Sequence, residues 1–544
     1  MNVTRISPSA APARFTATVL VLAILVAPSL LGAENGPVRK PNVVLVMADD
    51  MGFSDLGCYG GEIDTPHLDR LAAGGLRFAQ FYNTGRCWPT RASLLAGLYP
   101  HQAGRAMSFG PSAPRAYSGI IPPACRMIPE VLAPVGYRSY HVGKWHLNSG
   151  RGPNETWPLG RGFDRSYFLA TQDNYFSPRL VYDENEEITR PGGDYYATEV
   201  LSKRAVTYLE QHAAGHSEQP FFLYLAYTAP HFPLHALADD VARFRGKYTA
   251  GWDVMREARY RRMRELGIVN CRLSPRDPDA RAWDSLSDEE KDEWDARMAT
   301  YAAMIHCVDR GVGYVVRQLE TMGVLDDTLI LFLSDNGSSA EYIVRGDGHK
   351  PGAPPGSRES YRCLEVGWSN VANAPLRMHK MWMHEGGIAT PLIAHWPAGI
   401  EARGEITHQV GHVIDVLPTL VDVAGAAYPE TFDGQRTTPL PGKSLAPILR
   451  GRKPEPREFL FWEHIGNKAV RQGDWKLVAE HRGPWELYDL SVDRSETNDL
   501  SGKHPEKVKE LAELWAAYAD RIGVVDWDTL PGSKRKPSPE YRRK

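Results

Sequence analysis

Five short apolar runs recur along the chain, and each is followed at once by polar residues able to do chemistry. The first, Asn42 to Ala48, is continuously apolar and rich in β-branched valine, a pattern that predicts a strand buried on both faces and so a parallel sheet covered by helices. It delivers Asp49 and Asp50. The run Leu76 to Tyr82 leads toward Cys87, Tyr137 to Val142 ends in Gly143-Lys144-Trp145-His146, Phe221 to Tyr227 ends in Ala229-Pro230-His231, and Thr328 to Ser334 delivers Asp335 and Asn336. Helical stretches lie between them. One is opened by Thr65-Pro66 and closes near Gly74-Gly75, one surrounds Met127 to Leu132, and a long charged one spans Ser285 to Met322. Strands alternating with helices predict an α/β fold, a large mixed, mostly parallel sheet sandwiched by helices. Open α/β sheets bind ligands beyond the carboxyl ends of their strands, so the polar residues are expected along one edge.

From about Pro454 the texture changes. Strand candidates at Phe459 to Glu463, Lys468 to Arg471, Trp475 to Glu480 and Trp485 to Asp489 are separated by turn signals such as Gln472-Gly473-Asp474, and a helix follows from Pro505 to Ile522. This predicts a smaller antiparallel sheet plus helix over 454–530, after a main domain over 41–453. The charged, aromatic-bearing stretch from Ala238 to Trp283 reads as an insertion that covers the site.

The N-terminus carries Arg5 and Arg14, an apolar stretch from Val19 to Leu31 interrupted by Pro28, and Gly32-Ala33. That is the form of a secretory signal peptide over 1–33, too short and interrupted for a membrane anchor, and it places the mature chain outside the cytoplasm, periplasmic or secreted. A net charge of -3 over 544 residues gives no reason to expect nucleic acid or a membrane surface as partner. The basic tail over 531–544 reads as a solvated end. Six cysteines in so long a chain do not form a disulfide framework.

In Cys87-Trp88-Pro89-Thr90-Arg91, Pro89 suits the first turn of a helix and Gly97 suits its end, which puts Cys87 at the helix mouth with Arg91 one turn on along the same face. A helix N-terminus beside an arginine can hold an oxyanion. A half-buried structural thiol fits the same local pattern. Asp49, Asp50, Asp335 and Asn336 offer three carboxylates and one amide oxygen, a set suited to a hard divalent cation, although either pair alone also reads as a turn or helix cap.

The pattern C-x-P-[ST]-R-x-x-L-L-x-G, here Cys87 to Gly97, resembles the signature of the type I sulfatases of the alkaline phosphatase superfamily. The resemblance extends in order through Asp49-Asp50, Gly-Lys-Trp-His-Leu with Lys144 and His146, Ala-Pro-His with His231, Asp335-Asn336, and Lys380 ahead of Glu385-Gly386-Gly387. It departs at Ala389, where many members have arginine. It implies an alkaline phosphatase-like fold and a sulfuric ester hydrolase of arylsulfatase type. Cys87 is then converted by a separate maturation enzyme to Cα-formylglycine, leaving five cysteines and at most two pairs. The metal ligands implied are Asp49, Asp50, Cys87, Asp335 and Asn336, around calcium in preference to magnesium. Cys87 is implied as nucleophile with the cation and Arg91 lowering its hydroxyl's pKa, Lys144 and Lys380 as neutralising sulfate oxygens, His231 as acid and His146 as base, the last two roles being exchangeable.

Two other readings compete. A phosphonate or phosphate monoester hydrolase of the same superfamily uses similar parts, and a non-catalytic sulfated-glycan-binding protein needs only some of them. The substrate is a sulfated small molecule or glycan. Trp157, Tyr167, Tyr175 and Phe176 are candidates for an aromatic wall against it.

Overall fold

In the computed structural model, residues 40–531 are described apart from 151, 190 and 347, so the expected signal peptide and nearly all of the basic tail lie outside the described residues. Ten strands form one sheet: β1 (Asn42–Ala48), β2 (Leu76–Tyr82), β3 (Arg138–Gly143), β4 (Arg165–Leu169), β5 (Leu180–Asp183), β6 (Glu186–Thr189), β7 (Phe221–Ala226), β8 (Thr328–Ser334), β9 (Ala389–His395) and β10 (Glu405–His412). Their order is β10-β2-β9-β8-β1-β7-β3-β4-β5-β6. The central block β8-β1-β7-β3-β4 is parallel throughout, and only β9 and β5 run against the rest. The expected mixed, mostly parallel sheet is present.

Alternation along β1 sets the layers. Val44, Val46 and Ala48 face one buried cluster with the helices Pro66–Ala73, Ala197–Gly215 and Asp288–Thr321, whereas Val43, Leu45 and Met47 face another with Cys87–Ala96, Ile128–Leu132 and Val416–Ala424. The long helix starts where Ser287 accepts from the Glu290 N–H and Glu290 reaches back to the Ser287 N–H, a capping box. Such a start is readable in sequence. Strands β5, β6 and β10 sit toward the sheet edges; β6 and β10 are largely polar and partly exposed, and β5 is only four residues long. Strand β9 holds Pro391, a residue that argues against a strand inside a sheet; it is accommodated where the register against β2 shifts between Phe78 and Phe81.

The stretch expected to cover the site instead forms helices Ala238–Phe244 and Gly251–Leu266, which pack on the Asp288–Thr321 and Glu365–Ala372 helices. Its tryptophan Trp252 meets Trp283, Trp294 and Trp368 edge-on, so its aromatic content builds core and not a lid. All six cysteines are free thiols. Among the described residues, no helix is long and apolar enough to cross a membrane.

The C-terminal sheet is antiparallel, Leu460–His464, Asn467–Gln472, Trp475–Ala479 and Glu486–Asp489 in that order, with the helix Pro505–Ile522 against it. Phe461, Trp462 and Tyr518 join the main core cluster. A buried charge cluster completes the joint: Lys476 Nζ lies 3.0 Å from Glu385 Oε1 and 2.8 Å from Glu496 Oε1, and Arg494 Nε donates to Glu385 Oε2 at 3.0 Å. Glu385 begins the short helix that precedes β9. Removing one partner from a buried ion pair strands the other charge in a water-poor interior, at a cost of about 3–5 kcal/mol. Lys476→Met is therefore expected to lower unfolding free energy by about 3 kcal/mol in urea titrations monitored by tryptophan fluorescence, whereas exposed Lys443→Met, which loses only a solvated pair with Glu455, is expected to change it by less than about 1 kcal/mol.

Candidate active site

Strands β1, β3, β7 and β8 end at one edge of the sheet, and the antiparallel β9 begins there, so its leading segment brings Lys380 to the same place. The helix Cys87–Ala96 enters from the loop after β2, with Arg86 as the residue before its first turn and Cys87 as its first helical residue. The edge is tightly built. Gly143, at φ 116°, ends β3 where any Cβ would collide with the Ala226 carbonyl, and the next residue, Lys144, donates its N–H to that carbonyl at 2.7 Å. Asp50 and His146 both hold left-handed backbone angles, φ 64° and 60°, the kind of strain a fold retains where it fixes a side chain's direction.

Every expected site residue arrives here. Asp49, Asp50, Asp335, Asn336, Arg91, Cys87, Lys144, His231 and Lys380 are buried, and His146 is half-buried. The charges alternate. Lys144 Nζ lies 2.5 Å from Asp49 Oδ2, Lys380 Nζ 2.9 Å from Asp50 Oδ2, and Arg91 places Nη2 and Nε 2.6 and 3.0 Å from Asp335 Oδ2. Arg91 also donates to the Lys144 carbonyl at 3.1 Å. Its guanidinium is thus fastened to Asp335 and the end of β3, which ties the helix that begins at Cys87 to a site carboxylate. Asn336 Nδ2 donates to Asp50 Oδ1 at 2.6 Å, and the Asp50 N–H to Asp335 Oδ1 at 3.3 Å.

Two buried acceptors, Asp49 Oδ1 and Asn336 Oδ1, have no hydrogen-bond donor. Buried oxygens are otherwise satisfied in folded proteins, and here they belong to the donor types a hard divalent cation takes. Burial and the Asp49 charge push the Asp335 carboxyl up to about 7 in spite of Arg91. At Asp50 burial also pushes upward, but Lys380 and His231 outweigh it and the carboxyl lies below its ordinary value. Asp49, Asp50, Asp335 and Asn336 fit a divalent cation by donor chemistry and by their unsatisfied oxygens.

Cys87, Lys144, His146, His231 and Lys380 line a cavity of about 220 Å³, while Arg91 stands behind its wall. Burial pushes the Cys87 thiol up, against the pull of Lys144 and Lys380. Burial lowers His231 to about 3, the Asp50 charge opposing and Lys380 adding to the shift, and lowers His146 well below its usual value with Lys144 and Arg91 reinforcing it. Both rings are neutral near pH 7. His231 shares Nδ1 with the Phe232 carbonyl at 2.5 Å, which assigns the proton there and leaves Nε2 bare, 3.6 Å from Asp50 Oδ2. His146 Nδ1 is buried without a partner.

The aromatic expectation is corrected. Trp157, Tyr167 and Tyr175 are core residues, Phe176 packs on Tyr196 and His235, and the cavity wall is made by Trp88 and Phe232 instead. Closeness to His146 in sequence does not set facing. Tyr175 has a different use, since its hydroxyl donates to the Thr228 and His231 carbonyls at 2.6 and 2.8 Å and so fixes the His231 turn. Residues Arg86, Arg345 and Glu341 also line the cavity and were not anticipated. Glu341, five residues beyond Asn336 in coil, carries no periodic signal, although its place just after a strand-end ligand pair marks it as near the edge. Where Ala389 replaces the arginine common in the resembled motif, Glu385 is neutralised by Lys476 and Arg494.

A family model described as sulfatase matches residues 41–426, most of the chain. The chain belongs to the sulfatase family. A second model, the C-terminal part of N-sulphoglucosamine sulphohydrolase, matches this sulfatase over 377–518. Similar relatives include an uncharacterized sulfatase of Schizosaccharomyces pombe, 32% identical over 90% of this chain and 95% of the relative, and an arylsulfatase of Klebsiella aerogenes, 31% identical over 78% and 96%. The N-acetylgalactosamine-6-sulfatase of Homo sapiens is 29% identical over 89% of this chain and 80% of the relative. Among solved structures, that of Ps i-CgsB in complex with k-i-k-neocarrahexaose aligns at a TM-score of 0.64 with 25% identity, covering 90% of this chain and 94% of that one. The sulfatase is a sulfuric ester hydrolase with the alkaline phosphatase-like architecture of its neighbours, and the phosphate-hydrolase and binding-protein readings are not favoured.

The oxygen cluster leads to a direct test. Calcium or magnesium at about 100 times its Kd is expected to stabilise the wild type by about 2.7 kcal/mol, read as a rise in Tm, and Asp49→Asn is expected to abolish that rise. Isothermal titration should show the matching loss of binding heat.

Proposed function

We propose that this sulfatase hydrolyses the sulfate monoester of a single ring, of a sugar or an aryl alcohol, using Cys87 matured to Cα-formylglycine. The observation that carries the reading is the placement of Cys87 at the first turn of a helix, in the wall of a cavity that also presents Lys144, Lys380 and both histidines. The cavity volume, about 220 Å³, is below the usual range for drug-sized ligands and suits one ring with its sulfate. The names of relatives support both aryl and carbohydrate esters.

Asp49, Asp50, Asp335 and Asn336 would hold calcium, with magnesium the less favoured ion, and the ion would lower the charge of sulfate and nucleophile oxygens. The hydrated aldehyde supplies one hydroxyl as nucleophile and a second whose ionisation lets sulfate leave. Lys144 and Lys380 each carry three N–H donors, so Lys144 can serve Asp49, Lys380 can serve Asp50 and Glu341, and each can still donate to a sulfate oxygen. Trp88 and Phe232 exclude water from the ring's faces. His146, neutral and with Nδ1 unpartnered, suits the base that takes the proton at sulfate release. His231 suits the acid: the incoming sulfate adds a negative charge beside it, which raises its proton affinity, so that Nε2 takes a proton from water and passes it to the leaving oxygen. Arg91 orients Asp335 and the end of β3. Export follows from the first 33 residues as a signal peptide, and maturation requires a separate formylglycine-generating enzyme.

Mass measurement of the peptide containing Cys87, from protein co-expressed with a maturation enzyme, is expected to show about 18 Da less than the encoded sequence, by the arithmetic of thiol to aldehyde. Cys87→Ala should keep the wild-type Tm within a few degrees and lower kcat on nitrophenyl sulfate at least about 10³-fold. An active wild type with an unmodified Cys87 peptide would refute the nucleophile.

A further inference from the structure

Glu341 stands in the cavity wall, buried, in the coil that leaves β8. Its Oε2 lies 2.9 Å from Lys380 Nζ and accepts from Ser339 Oγ at 2.9 Å, while Lys380 Nζ meets Asp50 Oδ2 on its other side, also at 2.9 Å. One lysine is therefore shared by two carboxylates. Asp50 belongs to the proposed cation-holding set, but Glu341 does not, so the cavity carries one carboxylate more than that set uses. Burial pushes its carboxyl up, yet Lys380 and Arg86 outweigh burial and hold it well below the ordinary range, His231 adding to them. The negative charge is permanent near pH 7.

A pocket that needs to bind an anion gains nothing in affinity from an extra buried carboxylate. It gains in discrimination. Sulfate and phosphate monoesters are alike in shape, but the sulfate ester carries one negative charge, whereas a phosphate ester carries about 1.5 to 2 near pH 7. A fixed negative charge in a water-poor wall repels the second charge as well as the first, and specificity built on a repulsive element needs no contact that shape could supply. We propose that Glu341 is a specificity-determining residue that admits singly charged sulfate esters and turns away doubly charged phosphate esters of the same alcohol. The inference rests on the reading of the cavity as a sulfate monoester site.

The test measures inhibition of nitrophenyl sulfate hydrolysis by two phosphorus compounds at pH 8, phenyl phosphate with two charges and phenyl methylphosphonate with one. In the wild type the singly charged inhibitor is expected to bind at least about tenfold more tightly, about 1.4 kcal/mol. In Glu341→Gln the preference is expected to fall about tenfold, and in Glu341→Asp, which keeps the charge on a shorter stem, to persist. If Glu341 only steadied Lys380, Glu341→Gln would weaken both inhibitors by one factor and leave their ratio unchanged, and that outcome overturns the proposal. Equal inhibition in the wild type overturns it without any variant, so a misfolded Glu341→Gln does not leave it untested. Absence of nitrophenyl sulfate turnover by matured wild type is a separate result, and it removes the monoester reading on which the proposal stands.

Discussion

Three carboxylates are held almost out of contact with water at one edge of the sheet, and each is faced by a cation from a different part of the chain. Asp49 meets Lys144 from the end of β3, Asp335 meets Arg91 from the helix after β2, and Asp50 meets Lys380 from the segment before β9. An isolated charge in such surroundings is far more costly than the few kcal/mol by which a domain is stable. None of the carboxylates is tolerable without its partner, so the strand ends, the helix and the β9 lead must arrive together. The parallel central block makes this possible, because it ends five strands on one edge, while the reversed β9 brings its beginning to the same edge.

The same constraint is repeated one layer away. Glu385 follows Lys380 by five residues and is clasped by Lys476 and Arg494, so the C-terminal sheet is tied by charge to the segment that carries Lys380. A second support comes from the other side, where His379 Nε2 lies 2.9 Å from Asp277 Oδ2 and its Nδ1 lies 2.8 Å from Ser369 Oγ, all three buried. The stretch from Ala238 to Trp283 thus contributes to the site without covering it. It anchors the backbone beside Lys380 from behind.

What the sequence made legible follows from how each feature is encoded. Buried parallel strands announce themselves as unbroken apolar runs, so β1, β2, β3, β7 and β8 were readable, and with them the residues at their ends. The Pro505–Ile522 helix is legible because its proline and the following glycine punctuate it. Strands β4, β5, β6, β9 and β10 carry no such run: β4 opens on Arg165-Ser166, β5 and β6 are only four residues each, β10 is mostly polar, and β9 contains Pro391 opposite a register shift that only the folded sheet reveals. The Lys380, His146 and His231 assignments came from motif resemblance, since a lone basic residue after a strand has no local signature. Glu341, Trp88 and Phe232 share a wall only through tertiary folding, whereas Trp157, Tyr167 and Tyr175, attractive by proximity, turn inward.

Sharing of cations among carboxylates also determines how much of each cation is left for substrate. Lys380 gives one N–H direction to Asp50 and one to Glu341, and Lys144 gives one to Asp49, so the two lysines offer an anion a few aimed donors, beside Arg86 and Arg345 in the same wall. A surplus of positive charge would favour whichever anion carried most charge. Glu341 in that wall opposes such a preference and favours an anion that brings no more than one charge, while the unsatisfied oxygens Asp49 Oδ1 and Asn336 Oδ1 face the opposite demand and call for a cation. Both preferences arise from one arrangement, carboxylates buried beside basic groups that they share. The left-handed backbone at Asp50 belongs to it, because that residue must turn one oxygen toward Lys380 and the other toward Asn336, and the paired hydrogen bonds sustain a conformation that the aspartate would not adopt alone.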